Sequence, residues 1–148
     1  MKVSRTAACL AGVLAPAAAG AQVPSPPTIE CALGFQELRA AAEKLPGVQF
    51  SEAGGFEVAR LSAAEKWRAE ISFTTRWHPA YPAVTIRTLR RQVTGVWTAD
   101  SKACGYGDQS RFAELVTDMK AGDKALTDAS RDEVERRKQS RSPLAPMP

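Results

Sequence analysis

The stretch from Lys66 to Thr74 alternates without a break. Trp67, Ala69, Ile71 and Phe73 fall on one side, and Lys66, Arg68, Glu70, Ser72 and Thr74 on the other. A period of two marks a strand with one buried face, and a strand cannot bury a face alone. The chain must therefore build a sheet around this segment and lay something apolar over the Trp67 side. Neighbouring strands are expected at Phe56–Leu61, after the Gly54-Gly55 turn, at Ala83–Arg91, rich in Thr, Val and Ile, and at Val96–Ala103. Val48-Gln49-Phe50 reads only as a short apolar start. Ser62-Ala63-Ala64-Glu65 has capping-box spacing, so a helical turn is expected just before the alternating strand.

The cover comes from helical stripes. Between Thr28 and Leu45, Cys31, Phe35, Leu38, Ala42 and Leu45 recur in steps of four and three, with Thr28 as cap and Pro46-Gly47 as stop. Later, Phe112, Leu115, Val116 and Met119 form a second stripe behind a cap at Asp108 or Ser110, and Gly122 reads as its end. Thr127–Lys138 reads as a third helix, carrying the i,i+4 pairs Asp132–Arg136 and Glu133–Arg137 but only Ala129 and Val134 as apolar residues. The expected fold is a two-layer α+β domain. Its N-terminal and C-terminal helices pack on one face of a three- or four-stranded antiparallel sheet, and the other face stays polar and free.

The N-terminus is a separate unit. Lys2 and Arg5 precede an uncharged run from Thr6 to Ala19, and Ala19-Gly20-Ala21 gives a small-x-small site, the three parts of a secretory signal peptide. Cleavage is expected between Ala21 and Gln22. Cys9 lies inside the apolar run rather than after it, which argues against a lipid anchor. The run is also shorter than the roughly 20 residues of a membrane span, so none is expected in the mature chain. The organisation is then residues 1–21 as signal peptide, 22–27 as a proline-rich leader outside the core, 28–122 as a single α+β domain, 123–138 as a peripheral charged helix and 139–148 as a disordered tail. Removing 21 of 148 residues leaves 127, and losing Lys2 and Arg5 lowers the net charge from +4 to +2. A balance that small gives no reason to expect nucleic acid as a partner.

Cleavage also discards Cys9 and leaves Cys31 and Cys104. An even pair in an exported protein reads as a disulfide, here a staple between the first helix and the segment before the later ones. The expected location is the bacterial periplasm or the exterior.

Catalytic chemistry finds few footholds. His78 is the only histidine, so multi-histidine metal sites are excluded and no cofactor is expected. A nucleophilic triad would have to use His78, which stands between Trp77 and Pro79 in a proline-broken loop. Glu52, Glu57, Glu65 and Glu70 could supply a carboxylate pair, which makes a small secreted hydrolase the alternative reading. Gly105-Tyr106-Gly107 before a helix could cradle an anion, although such a turn is common without one. The strongest local bias is the absence of acids between Glu70 and Asp100, where Trp77, Tyr81 and Trp97 are interleaved with Arg76, Arg87, Arg90 and Arg91. Guanidinium forks and aromatic faces together suit anionic or glycan-bearing surfaces. The favoured reading is a non-catalytic binding protein that contacts such an envelope partner through Arg76, Trp77, His78, Tyr81, Arg87 and Arg91.

Overall fold

The computed structural model describes residues 23–141. The expected signal peptide, its cleavage position and the tail beyond residue 141 lie outside the described residues. The order of elements is α1 (Phe35–Glu43), β1 (Gln49–Ala53), β2 (Phe56–Ala63), β3 (Trp67–Thr74), β4 (Ala83–Arg91), β5 (Trp97–Gly105) and α2 (Gln109–Arg141). The strands form one antiparallel meander in sequence order. α+β is therefore correct, but the sheet has five strands rather than three or four. The extra one is β1, whose Ser51 and Glu52 hide it from any alternating pattern because almost all of the strand is exposed.

The registers give each face its residues. Ala59, Ile71, Ile86 and Lys102 stand opposite one another in one cross-strand row, as do Glu57, Phe73, Val84 and Cys104 in another. This face carries the core, in which Leu38 and Ala42 of α1 meet Ile71, Phe73, Val84 and Ile86. Phe35 sets its ring edge-on to Phe73 at 5.9 Å. Trp67, Ala69, Ile71 and Phe73 are all buried, as their alternation required.

The segment before α1 departs from expectation. A helix was expected from Thr28, yet it begins at Phe35, with Gly34 as an extended N-cap. Residues 23–30 are instead an extended strap across the core face. Ile29 is in the core, its carbonyl accepts from Lys102 Nζ at 2.6 Å, and the Pro24 carbonyl accepts from the Trp67 indole at 2.6 Å. The proline-rich leader is extended, as prolines dictate, but it is seated on the fold rather than clear of it. Cys31 lies in the turn after this strap, not on the helical stripe, and is joined to Cys104 with Cα atoms 5.2 Å apart. The helical turn expected at Ser62–Glu65 is instead a tight β2–β3 hairpin, with Glu65 at φ +58°.

The second and third expected helices are one. α2 runs unbroken from Gln109 to Arg141, through Gly122 and past residue 138. It packs on the face opposite α1, so the helices sandwich the sheet instead of sharing one side. The reason is in the polar row Arg60–Glu70–Arg87–Ser101, which reads as a solvated surface. α2 covers part of it with a polar contact: Asp123 accepts from Arg87 Nε at 2.7 Å and from the Ser101 hydroxyl at 2.8 Å. Gly122 ends nothing; it is a notch, since a Cβ there would lie 3.0 Å from Arg87 Nη2. α2 also closes the outer edge of β5. The Trp97 and Ala99 amides donate to Ser130 Oγ and Thr127 Oγ1 at 2.8 and 3.0 Å.

Candidate functional site

The loop between β3 and β4, residues 75–82, is fastened at its base. Thr74 Oγ1 accepts from the Ala83 amide at 2.8 Å and donates to the Ala83 carbonyl at 3.0 Å. Inside it, the His78 amide donates to the Thr75 carbonyl and the Tyr81 amide to the His78 carbonyl, two consecutive turns that leave little slack. The Thr75 amide donates to the Gly55 carbonyl, tying the loop to the β1–β2 turn.

His78 is the wedge of this loop. Its ring lies 4.5 Å from that of Phe56, and Nδ1 accepts from the Ala80 amide at 3.1 Å. That acceptor needs an unprotonated Nδ1, and burial pushes the His78 pKa below its ordinary value of 6.5. Tyr81 is propped from behind by Phe35, ring edge to ring face at 5.6 Å, and keeps 40% of its surface exposed. Trp77 has no such backing and is 85% exposed, beside an exposed Arg76. The loop thus holds a large apolar ring and a guanidinium out into solvent on a braced frame.

The six residues singled out from the sequence fall into three places. Arg76, Trp77, His78 and Tyr81 share this loop. Arg87 is turned beneath α2, bonded to Asp123 and, at 3.3 Å, to the Met119 carbonyl. Arg91 is at the far end of β4, about 26 Å along the strand from the loop, and pairs with Glu65 of the β2–β3 turn. Arg39, Arg87 and Arg91 are all paired with acids, whereas Arg76 has no such pair among the described residues.

The acids considered for hydrolysis sit along the sheet. Arg39 grips Glu57 through two bonds, at 2.9 and 2.6 Å, and this partnership raises the Arg39 pKa. Arg60 holds Glu70 at 3.0 Å, and Glu52 stands opposite Glu57 in the β1–β2 register. The glycine turn before α2 is used for close packing. A Cβ on Gly105 would meet the Phe112 ring at 2.4 Å, and one on Gly107 would meet the Tyr81 carbonyl oxygen at 2.5 Å. Asp108 caps the helix itself, accepting from the Arg111 amide at 2.8 Å. Among the described residues no group of three or more His, Cys, Asp or Glu is placed to hold a metal ion.

No family model matches the chain, and no curated protein or solved structure is significantly similar to it. Function must therefore be read from the geometry. Among the described residues no helix is long and apolar enough to cross a membrane.

One feature escapes the sequence pattern. A groove of about 660 Å³ opens where the strap, the α1–β1 connection and the end of β2 meet, walled by Pro24, Pro27, Leu45 and Pro46 over Leu61 and Trp67. The alternation around Trp67 marks those residues as core. Nothing in it shows that the cover over one end of the strand stops short.

Proposed function

We propose that this chain is a small exported binding protein that works without catalysis and contacts an anionic or glycan-bearing envelope partner through the β3–β4 loop. The observation that carries the reading is Trp77, held 85% exposed on a loop braced by Thr74, His78 and Phe56. Exposing an indole costs apolar contact with water, and a loop this well fastened could have turned it inward. Large aromatic rings on rigid supports are the usual anchors of binding surfaces because little conformational entropy is lost when they engage. Arg76, which has no ion pair among the described residues, adds a guanidinium for a phosphate or carboxylate. Tyr81 extends the surface, and His78 holds its shape from within. Arg87 and Arg91 drop out of the contact set, since each is occupied elsewhere. The Cys31–Cys104 disulfide supports an oxidising compartment as the place of action.

The test is affinity capture from an envelope fraction with the oxidised protein as bait. Replacing Arg76 by Ser and Trp77 by Ala together abolishes partner recovery while the circular dichroism spectrum and unfolding midpoint are retained. Undiminished recovery by that variant overturns the reading.

A further inference from the structure

Two loops at one end of the sheet hold apolar side chains out into solvent. Trp77 and Tyr81 stand on the β3–β4 loop, 85% and 40% exposed, and Leu33, in the turn before α1, is 43% exposed. Their contacts bring the two loops together. The Tyr106 hydroxyl donates to the Leu33 carbonyl at 2.5 Å, the Tyr106 amide donates to the Pro82 carbonyl at 3.0 Å, and Phe35, two residues after Leu33, carries the Tyr81 ring. The Leu33 turn is fastened as firmly as the loop beside it. Cys31 ties it to Cys104 at the end of β5, and the Leu33 amide donates to the Glu30 carbonyl at 2.9 Å. The other large apolar residues exposed among the described ones lie elsewhere: Val23 begins the strap, Val93 is in the β4–β5 turn at the opposite end of the sheet, and Leu126 is along α2.

We propose that this end of the molecule docks on a phospholipid bilayer, with the Trp77 and Tyr81 rings and the Leu33 side chain seated in the interfacial layer and Arg76 on a lipid phosphate. This partner rests on the reading of the β3–β4 loop as the contact surface. Trp and Tyr are the side chains that membrane–water interfaces favour, because each joins an apolar body to a polar edge. Leu33 decides between a bilayer and a glycan. A sugar rewards aromatic faces and hydrogen-bonding groups but offers little to an aliphatic side chain, whereas acyl chains remove it from water. The phosphate ester supplies an anion for the guanidinium fork of Arg76, which has no ion pair among the described residues. Charge is not the driving force. Burial and the nearby Glu37 raise the Tyr106 pKa, and Asp108 caps α2 in the next turn, so acids offset Arg76 and Arg111 around the rings. Docking is therefore expected on neutral as well as anionic vesicles, and is expected to withstand salt, which screens exposed charges but leaves apolar burial intact.

The probe is unilamellar vesicles of phosphatidylcholine, with and without phosphatidylglycerol, mixed with the oxidised protein. Cosedimentation with both kinds is expected, at low and high salt alike. The Trp77 emission should move to the blue and be quenched by lipids brominated near the headgroup end of the acyl chain. That quenching is read on the unaltered chain, so the test does not depend on any variant folding. Trp77→Ala should weaken vesicle binding roughly tenfold or more and Leu33→Ser several-fold, while Val93→Ser at the opposite end of the sheet leaves it unchanged. Free glycerol phosphate and a soluble oligosaccharide should leave the Trp77 emission where it is. The proposal is overturned by absent cosedimentation, by binding that needs the anionic lipid and is lost at high salt, or by binding that Trp77→Ala and Leu33→Ser leave unchanged. It is also overturned if free glycerol phosphate or the oligosaccharide shifts the emission without vesicles, since the ligand is then a soluble phosphate or a glycan. The loop itself is judged apart from the lipid. If vesicles are not bound but Arg76→Ser with Trp77→Ala still abolishes capture from the envelope fraction, the lipid falls and the contact surface stands; if that variant keeps both its partner and its vesicles, both fall.

Discussion

Arg87 on β4 and Asp123 on α2 meet at 2.7 Å, and Gly122 is the gap in the helix surface that lets them do so. Their side chains are only 27% and 12% exposed, so each has given up much of its hydration for the other. Removing one partner strands the other. Asp123→Ala should destabilise the fold by about 2–4 kcal/mol, whereas Arg87→Leu with Asp123→Leu should recover most of that loss. Urea denaturation of Arg87→Leu, Asp123→Leu and the double variant measures the coupling; additive losses would mean that the pair does not act as a unit.

Gly105 tests the seat of α2 from the other end. The Phe112 ring occupies the space where any side chain at 105 would begin. Gly105→Ala should therefore cost about 1–3 kcal/mol through overpacking, and Gly105→Ala with Phe112→Leu should cost less than the sum of the two single changes. Thermal unfolding followed at 222 nm is a suitable readout.

The disulfide closes a sequence separation of 73 residues between the strap and β5. In the chain-entropy view such a closure is worth about 4 kcal/mol, so Cys31→Ser with Cys104→Ser should lower the unfolding midpoint sharply. Intact mass before and after reduction provides the direct check, with a rise of about two mass units expected for one broken bridge.

His78 makes stability depend on pH. Burial lowers its pKa in the folded state below 6.5, so at pH values between the folded and unfolded pKa the unfolded chain holds the proton and the folded chain does not. Its contribution is intact above 6.5, is lost as the pH falls toward the lowered folded value, and levels off below it. The difference in urea midpoint between the wild type and His78→Phe should therefore narrow from pH 7.5 toward pH 5. A constant difference would place the titration elsewhere.

Trp77 should behave in the opposite way to all of these. With its indole 85% exposed, Trp77→Ala should change stability by no more than about 0.5 kcal/mol. Fluorescence of the wild type should show a solvent-exposed indole accessible to iodide, and this component should vanish in the variant.

The sequence makes half of this architecture legible. Trp67 to Phe73 and Ala83 to Arg91 announce themselves because one face of each strand meets the core, and burial imprints its period on the residues. β1 is silent for the converse reason: with nearly every residue exposed, nothing constrains Ser51 or Glu52 to alternate. Gly122 misleads because a missing side chain looks the same whether it ends a helix or admits a neighbour's guanidinium. The helices prove to lie on opposite faces because Arg87 is satisfied by Asp123, a pairing that sequence cannot distinguish from two solvated charges. Of the candidate surface, the contiguous run Arg76–Tyr81 survives as a cluster because a loop keeps sequence neighbours together. Arg87 and Arg91 leave it because a strand carries residues away at more than 3 Å per position.

The Ser130 and Thr127 hydroxyls that cap the Trp97 and Ala99 amides give the sheet a direction of growth. On the β5 side a newcomer strand finds those donors already spoken for by α2, while the β1–β2 side still offers backbone. At Trp97 and Ala99 the helix thus takes the place that another strand would need, and guards that end of β5 against edge-to-edge aggregation.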